Sequence, residues 1–132
     1  MEKDLDYWNK IKKEIDKKVI SRDLFFHERE VWWGSLGLNI GVESNGKGHF
    51  FERPILIIKV FNTDMVWCLP MTSTIRSNSQ FYYKVKVGED FRSVLTTQIR
   101  TISSKRLLRK VGTVDETDFA ETLKIVCNLL TK

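Results

Sequence analysis

The stretch GKGHFFERPILIIK, residues 46–59, sets an arginine in an unusual place. Arg53-Pro54 ends a charged, glycine-rich loop, and an apolar run starts at once. A guanidinium is costly to bury, and its planar fork matches phosphate oxygens. Two readings follow. Arg53 braces the backbone through a salt bridge, or it serves a nucleic-acid site. The same loop carries Glu43, Lys47, His49 and Glu52. Among these, His49 carries the imidazole, a side chain suited to proton transfer.

The chain that must position these groups has 132 residues, enough for a single domain spanning 1–132. Hydrophobic residues make up 42% of it, which excludes a disordered chain. The formal net charge of +5 is compatible with an RNA or DNA partner, with acidic residues interspersed and no basic tail. Cys68 and Cys127 both read as small buried hydrophobes. With His27 and His49 they lack metal-ligand spacing, so neither metal nor cofactor is expected. The N-terminus is polar, no apolar run reaches membrane-spanning length, and a reducing, cytoplasmic setting is expected.

Leu5, Trp8, Ile11, Ile15 and Val19 form one helical stripe, with Asp4 as its cap and a break near residues 21–23. This predicts an N-terminal helical extension over 1–22. Strand texture follows over 25–114: REVWWGSL, RPILIIKVF, MVWCLPMTS, FYYKVKV, SVLTTQIRTIS and RLLRKVGTV. LGLNIGVESNGKGHFFE reads as a long loop, and Asn62-Thr63-Asp64 as a hairpin turn. Phe119, Leu123, Val126 and Leu130 mark a closing helix over 115–131, capped by Asp115. Five or six sequential strands with no crossover helices imply a small antiparallel barrel between two helices.

Three blocks in order, VWWGSLGLNIGVESNGKGHFFERPILII, LPMTST and VLTTQIRTISSKRLLRKVGTV, resemble the PemK/MazF family of toxins from toxin–antitoxin systems. The resemblance covers roughly residues 30–130. It implies an SH3-like, CcdB-type barrel, mainly β with flanking helices, the N-terminal helix being an addition. It implies a homodimeric endoribonuclease that cuts single-stranded RNA and is blocked by a cognate antitoxin protein. It places the catalytic arginine at Arg53 and the catalytic threonine at Thr72. The loop before Arg53 is longer here than in short members of the family.

Metal-free RNA cleavage uses the neighbouring 2′-hydroxyl as nucleophile. It needs a base, a cationic donor to the phosphorane oxygens and an acid for the 5′-oxygen. Arg53 suits the donor role, and Thr72 can donate to a phosphate oxygen or orient the 2′-hydroxyl. His49, Glu43 and Glu52 are the candidates for the base. Lys47, Ser73 and Gln98 are further candidates for catalysis or substrate binding, Gln98 by reading a base edge. Trp32, Trp33 and Trp67 offer stacking faces, and strand alternation makes one of Trp32 and Trp33 core and the other surface or dimer interface. Arg106 and Arg109 read as a solvated face. Gly46 and Gly48 predict a loose gate over 42–52, with Phe50 and Phe51 either exposed for a partner or folded back on the barrel. The alternative class keeps the fold without catalysis: a barrel that binds a protein such as gyrase, or a nucleic-acid-binding module that has lost cleavage.

Overall fold

The computed structural model describes residues 3–19 and 25–131. Helix α1, Leu5–Asp16, starts at Asp4, whose carboxylate accepts from Tyr7 N at 2.9 Å. That satisfies one of the N–H groups a helix start leaves unpaired. Trp8 and Ile11 are the buried members of the predicted stripe. Leu5 stays exposed, and so does Val19, which lies past the helix. The predicted break at 21–23 falls outside the described residues.

Seven strands follow: β1 Glu30–Ser35, β2 Glu52–Val60, β3 Met65–Thr72, β4 Tyr82–Val87, β5 Asp90–Leu95, β6 Arg100–Ser103 and β7 Leu107–Thr113. A 3-10 turn, Ser104–Arg106, links the last two, and helix α2, Glu116–Thr131, closes the chain. The order is β4-β5-β3-β2-β1-β7, with β6 also on β3. Every pairing is antiparallel. The sheet rolls until its two ends meet at one bridge, Val87 to Val114. The expected barrel is therefore a rolled sheet joined at a point, not along a full ladder.

Strand β2 is the axle of this arrangement. Pro54 through Ile58 are all buried, as its continuous apolar run predicts. Its period-2 alternation divides the core in two. Leu56 and Ile58 join a cluster with Leu69, Val85, Val94 and Val126 of α2. Ile55 and Ile57 join another with Trp32, Leu36 and Cys68. Burial pushes the Cys68 thiol up to about 12, so it behaves as an apolar filler. Trp32 is fixed inside by its Nε1–H, which donates to Glu30 Oε1 at 2.9 Å. Alternation then turns Trp33 to the opposite face.

Some expectations need correction. SVLTTQIRTIS is two strands, because β5 pairs with the end of β3 and β6 with its beginning. The chain must turn between them, and Gln98 N donates to Leu95 O at 3.2 Å there. Thr96 ties this turn to Gln80 and Phe81 through hydrogen bonds to both carbonyls. Phe81, the first residue of the FYYKVKV segment, lies before β4 and is exposed, and Leu130 lies beyond the reach of the α2 packing stripe. Cys127 is exposed, since the buried face of α2 centres on Thr122 and Val126.

Candidate active site

Register brings Arg53 and Thr72 together. Ile55 stands opposite Pro70 and Leu56 opposite Leu69 in the β2–β3 pair. Continuing that register to the strand ends sets Arg53 across from Thr72. On the other edge of β2, Pro54 stands opposite Trp33. Two residues distant in sequence thus share one end of the sheet because β2 and β3 form a hairpin.

Arg53 is half-buried. Its Nε donates to Asn45 O at 2.7 Å and its Nη1 to Met71 O at 3.1 Å. These partners are backbone carbonyls, not a carboxylate, so the salt-bridge reading of Arg53 is not what the structure holds. Burial lowers its pKa, yet a guanidinium remains charged at neutral pH. The carbonyls aim the fork without neutralising it, which leaves its charge available to an anion.

Arg53, Thr72 and Lys47 line two adjoining cavities, of about 300 Å³ and about 440 Å³. The first continues past Ser73, Glu52, Trp33 and Arg92. Trp33 lies beneath the guanidiniums of Arg92 and Arg109, at 5.9 and 5.1 Å from its ring centre. Arg109 also grips both oxygens of Glu52, at 2.9 and 3.2 Å. The second cavity passes Glu43, Gln98, Arg76 and Tyr82. Arg76 stacks over Tyr82 at 4.9 Å. Cations alternating with aromatic faces are what a single-stranded nucleic acid requires: charge for its backbone and a platform for its bases. The Thr72 hydroxyl oxygen accepts from Thr74 N at 3.2 Å, so its proton is free to donate into the groove.

Other candidates are placed differently. Gln98 is spent on the loop: its Oε1 accepts from Ser44 N at 2.8 Å and Ser44 Oγ at 2.6 Å, and its Nε2 donates to Val42 O at 3.3 Å. Glu43 Oε1 accepts from Ile40 N at 3.2 Å while the residue lines the second cavity. His49 lines neither cavity; its Nδ1 meets the Tyr7 hydroxyl at 2.9 Å. Trp67 lies away from the groove, edge-on to Phe61. Arg106 is not a solvated residue, because its Nη1 donates to Ser35 O at 2.9 Å. Arg109, though mostly exposed, is pinned by Glu52. The loose gate over 42–52 is also corrected. Gly46 is a close-approach site, since a Cβ there would lie 1.5 Å from Phe51 O. Phe51 is buried and Phe50 exposed, so the two phenylalanines have opposite fates.

Arg92, Arg76 and Tyr82 were missed by sequence reasoning. Nothing local separates Arg92 from an ordinary edge arginine; only the pairing of Thr72 with Ser93 brings its neighbour Arg92 to the site. An arginine in a polar loop followed by an aromatic strand start was the one available signal for the Arg76–Tyr82 pair.

Among the described residues no group of three or more His, Cys, Asp or Glu is arranged to hold a metal ion, and no helix is long and apolar enough to cross a membrane. Residues 27–130 match the family described as the PemK-like, MazF-like toxin of type II toxin–antitoxin systems. No curated protein sequence matches the chain. In fold, MazF from Deinococcus radiodurans is similar with a TM-score of 0.69 and 20% identity, over 83% of this chain and 100% of that one. A MazE–MazF structure from the same organism gives 0.63 and 17%, over 82% and 97%. An endoribonuclease from a mycobacterial species, in complex with its cognate antitoxin, gives 0.63 and 16%, over 81% and 96%.

Proposed function

The chain belongs to the PemK-like, MazF-like toxins of type II toxin–antitoxin systems, and from that premise we propose that it is an endoribonuclease cutting single-stranded RNA in the groove around Arg53. The observation that carries the reading is the state of Arg53. It is a fixed, uncompensated cation beside a free hydroxyl, at the junction of two cavities lined by further cations and aromatic rings.

In the proposed reaction the scissile phosphate lies against Arg53 and Thr72. The neighbouring 2′-oxygen bonds to phosphorus as the bond from phosphorus to the 5′-oxygen breaks. The 2′-hydroxyl gives up one proton and the 5′-oxygen takes one, so the proton count is unchanged. Arg53 stabilises the charge that builds on the phosphorane oxygens, and Thr72 donates to one of them. Glu52 is held by Arg109, which leaves Glu43 as the groove carboxylate we assign as base. Lys47, Arg53 and Arg92 make the site cationic, so the reaction needs no divalent ion to neutralise the phosphate. The partners of this reading are single-stranded RNA, a second copy of the chain as homodimer, and a cognate antitoxin that blocks the groove. On this reading the chain works in the cytoplasm, on the RNA made there.

The test is to incubate the purified chain with a long RNA in EDTA and map the new ends. The expected products carry a 2′,3′-cyclic phosphate and a 5′-hydroxyl, at a restricted set of sites. Intact RNA with folded protein sinks the catalytic reading in favour of a binding barrel. Ends with a 5′-phosphate, or cutting only with added metal, sink the mechanism.

A further inference from the structure

The family match begins at residue 27, so α1 lies wholly outside it. Its buried face is nonetheless spent on the loop that carries Arg53's partner. Trp8 and Ile11 form a separate small core with Phe51, with Tyr7 and Leu38 packed against it. The Trp8 and Phe51 rings meet edge-on, 5.4 Å apart. Trp8 also fills the space above Gly37, where any Cβ would lie 2.1 Å from the indole. Gly37 has a φ of +77°, so it is glycine for both conformation and room. Two polar ties add to this: Tyr7 to His49 at 2.9 Å, and Lys3 Nζ to Asn39 O at 2.5 Å.

Phe51 is the hub on the loop side. Its φ of +50° is rare for a bulky side chain, and such a backbone persists only where its surroundings hold it. Its carbonyl accepts from Leu36 N at 3.0 Å and Gly37 N at 3.2 Å. Gly46 packs on that carbonyl, and Gly46 N donates to Gly37 O at 2.7 Å. The residue before Gly46 is Asn45, whose carbonyl holds Arg53 Nε. Contacts therefore run unbroken from the indole of Trp8 through Phe51 and Gly37, to Gly46 and Asn45, to the guanidinium.

We propose that α1 is a built-in brace of the active-site loop and that Trp8 is a positioning residue for Arg53. This rests on the endoribonuclease reading for its catalytic consequence, but not for its structural one. Without the indole, Phe51 loses its cover, the strained turn is free to relax, and the Asn45 carbonyl no longer aims the fork.

The test compares full-length wild type with Trp8→Ala, Trp8→Phe and, as a control on an exposed face, Lys10→Ala. Steady-state cleavage and NMR of the Arg53 Nε–H and loop amides are read together. Trp8→Ala is expected to lower kcat by about 100-fold, the cost of misplacing a reacting group by an ångström, with KM essentially unchanged. It is also expected to speed amide exchange at Gly46 and Lys47 and release the Arg53 Nε–H, while Val66 and Val94 stay protected. Trp8→Phe should restore part of kcat, and Lys10→Ala should match wild type. If Trp8→Ala does not melt cooperatively, Trp8→Leu takes its place under the same criteria. A folded variant with unchanged kcat and an unchanged Arg53 Nε–H overturns the brace. If wild type cleaves no RNA, the endoribonuclease reading fails, and the brace stands or falls on the NMR signals alone.

Discussion

Two loops flank Arg53, and they are built in opposite ways. Residues 36–51 bury Leu36, Gly46 and Phe51, tie themselves to Gln98 through Ser44 and Val42, and lean on α1. Residues 73–81 are exposed at every position. They are held by short polar bonds, such as Arg76 N to Ser93 Oγ at 3.1 Å and Phe81 N to Ser79 Oγ at 3.0 Å. The first loop fixes a cation. The second carries Arg76 with little to constrain it. Fixed geometry is worth most at the reacting phosphate, where a small displacement is amplified in rate. A looser surface suits the flanking nucleotides, whose bases vary while their backbone charge does not.

The largest effect is expected at Arg53, the cation that the first loop fixes. Arg53→Ala is expected to lower cleavage by roughly 100- to 1,000-fold, the usual cost of deleting one donor to a developing oxyanion. The variant should stay folded, losing about 1–2 kcal/mol for the carbonyls of Asn45 and Met71 left without their donor. Lysine at this position should recover only part of the rate, since it lacks the fork. Near-wild-type cleavage by folded Arg53→Ala ends the assignment.

Phe50 and Phe51 set an exposed and a buried ring side by side in a single loop. Phe51→Ser should cost about 3–5 kcal/mol in a chemical-denaturation experiment, as for other large core truncations. Phe50→Ser should change stability by about 0.5 kcal/mol or less, as at most exposed positions. Equal losses would mean that the 36–51 loop is not packed as described.

The adjacent pair also shows what a sequence discloses. Arg53 stood out as a candidate because a guanidinium at the start of an apolar strand admits a phosphate role beside a structural one, and the family resemblance pointed to the same residue. The β2–β3 hairpin and the α1 stripe were legible from periodicity. What α1 packs against was not, because the Trp8 contact spans more than forty residues and depends on a φ that Phe51 does not advertise. Gln98 looked like a base reader because strand position alone does not say which way an amide is bonded. The break between β5 and β6 was hidden by a segment rich in β-branched residues, among them Val94, Thr96, Thr97, Ile99, Thr101 and Ile102, and only the double pairing of β3 requires it.

Thr72 stands at the seam of the two loops, as the last residue of β3. Thr72→Val keeps shape and branching and deletes the hydroxyl. Cleavage should fall by roughly 10- to 100-fold, the worth of one hydrogen bond to a charged oxygen in the transition state. The melting temperature should drop slightly, because Thr74 N loses an acceptor. A collapse of stability with activity per folded molecule retained would make Thr72 a structural residue.

The smallest effect is expected at Arg76, and it separates the two loops most directly. Arg76 stacks on Tyr82 and lines the groove, but no acceptor or buried side chain fixes its guanidinium among the described residues. If the 73–81 loop serves flanking nucleotides, Arg76→Ala removes one backbone charge contact and nothing else. Stability should shift by about 0.5 kcal/mol or less, since the site is exposed. The value of kcat should hold, while KM rises uniformly across RNA sequences. The slope of log affinity against log salt should shrink by about 0.7, the counterion equivalent of one single-strand phosphate. A non-cleavable oligonucleotide with a 2′-deoxy sugar at the cut site gives that slope without turnover. A loss of kcat comparable to that of Arg53→Ala would place Arg76 at the reacting phosphate. The two loops would then share the chemistry, and the division between a fixed wall and an adaptable one would fail.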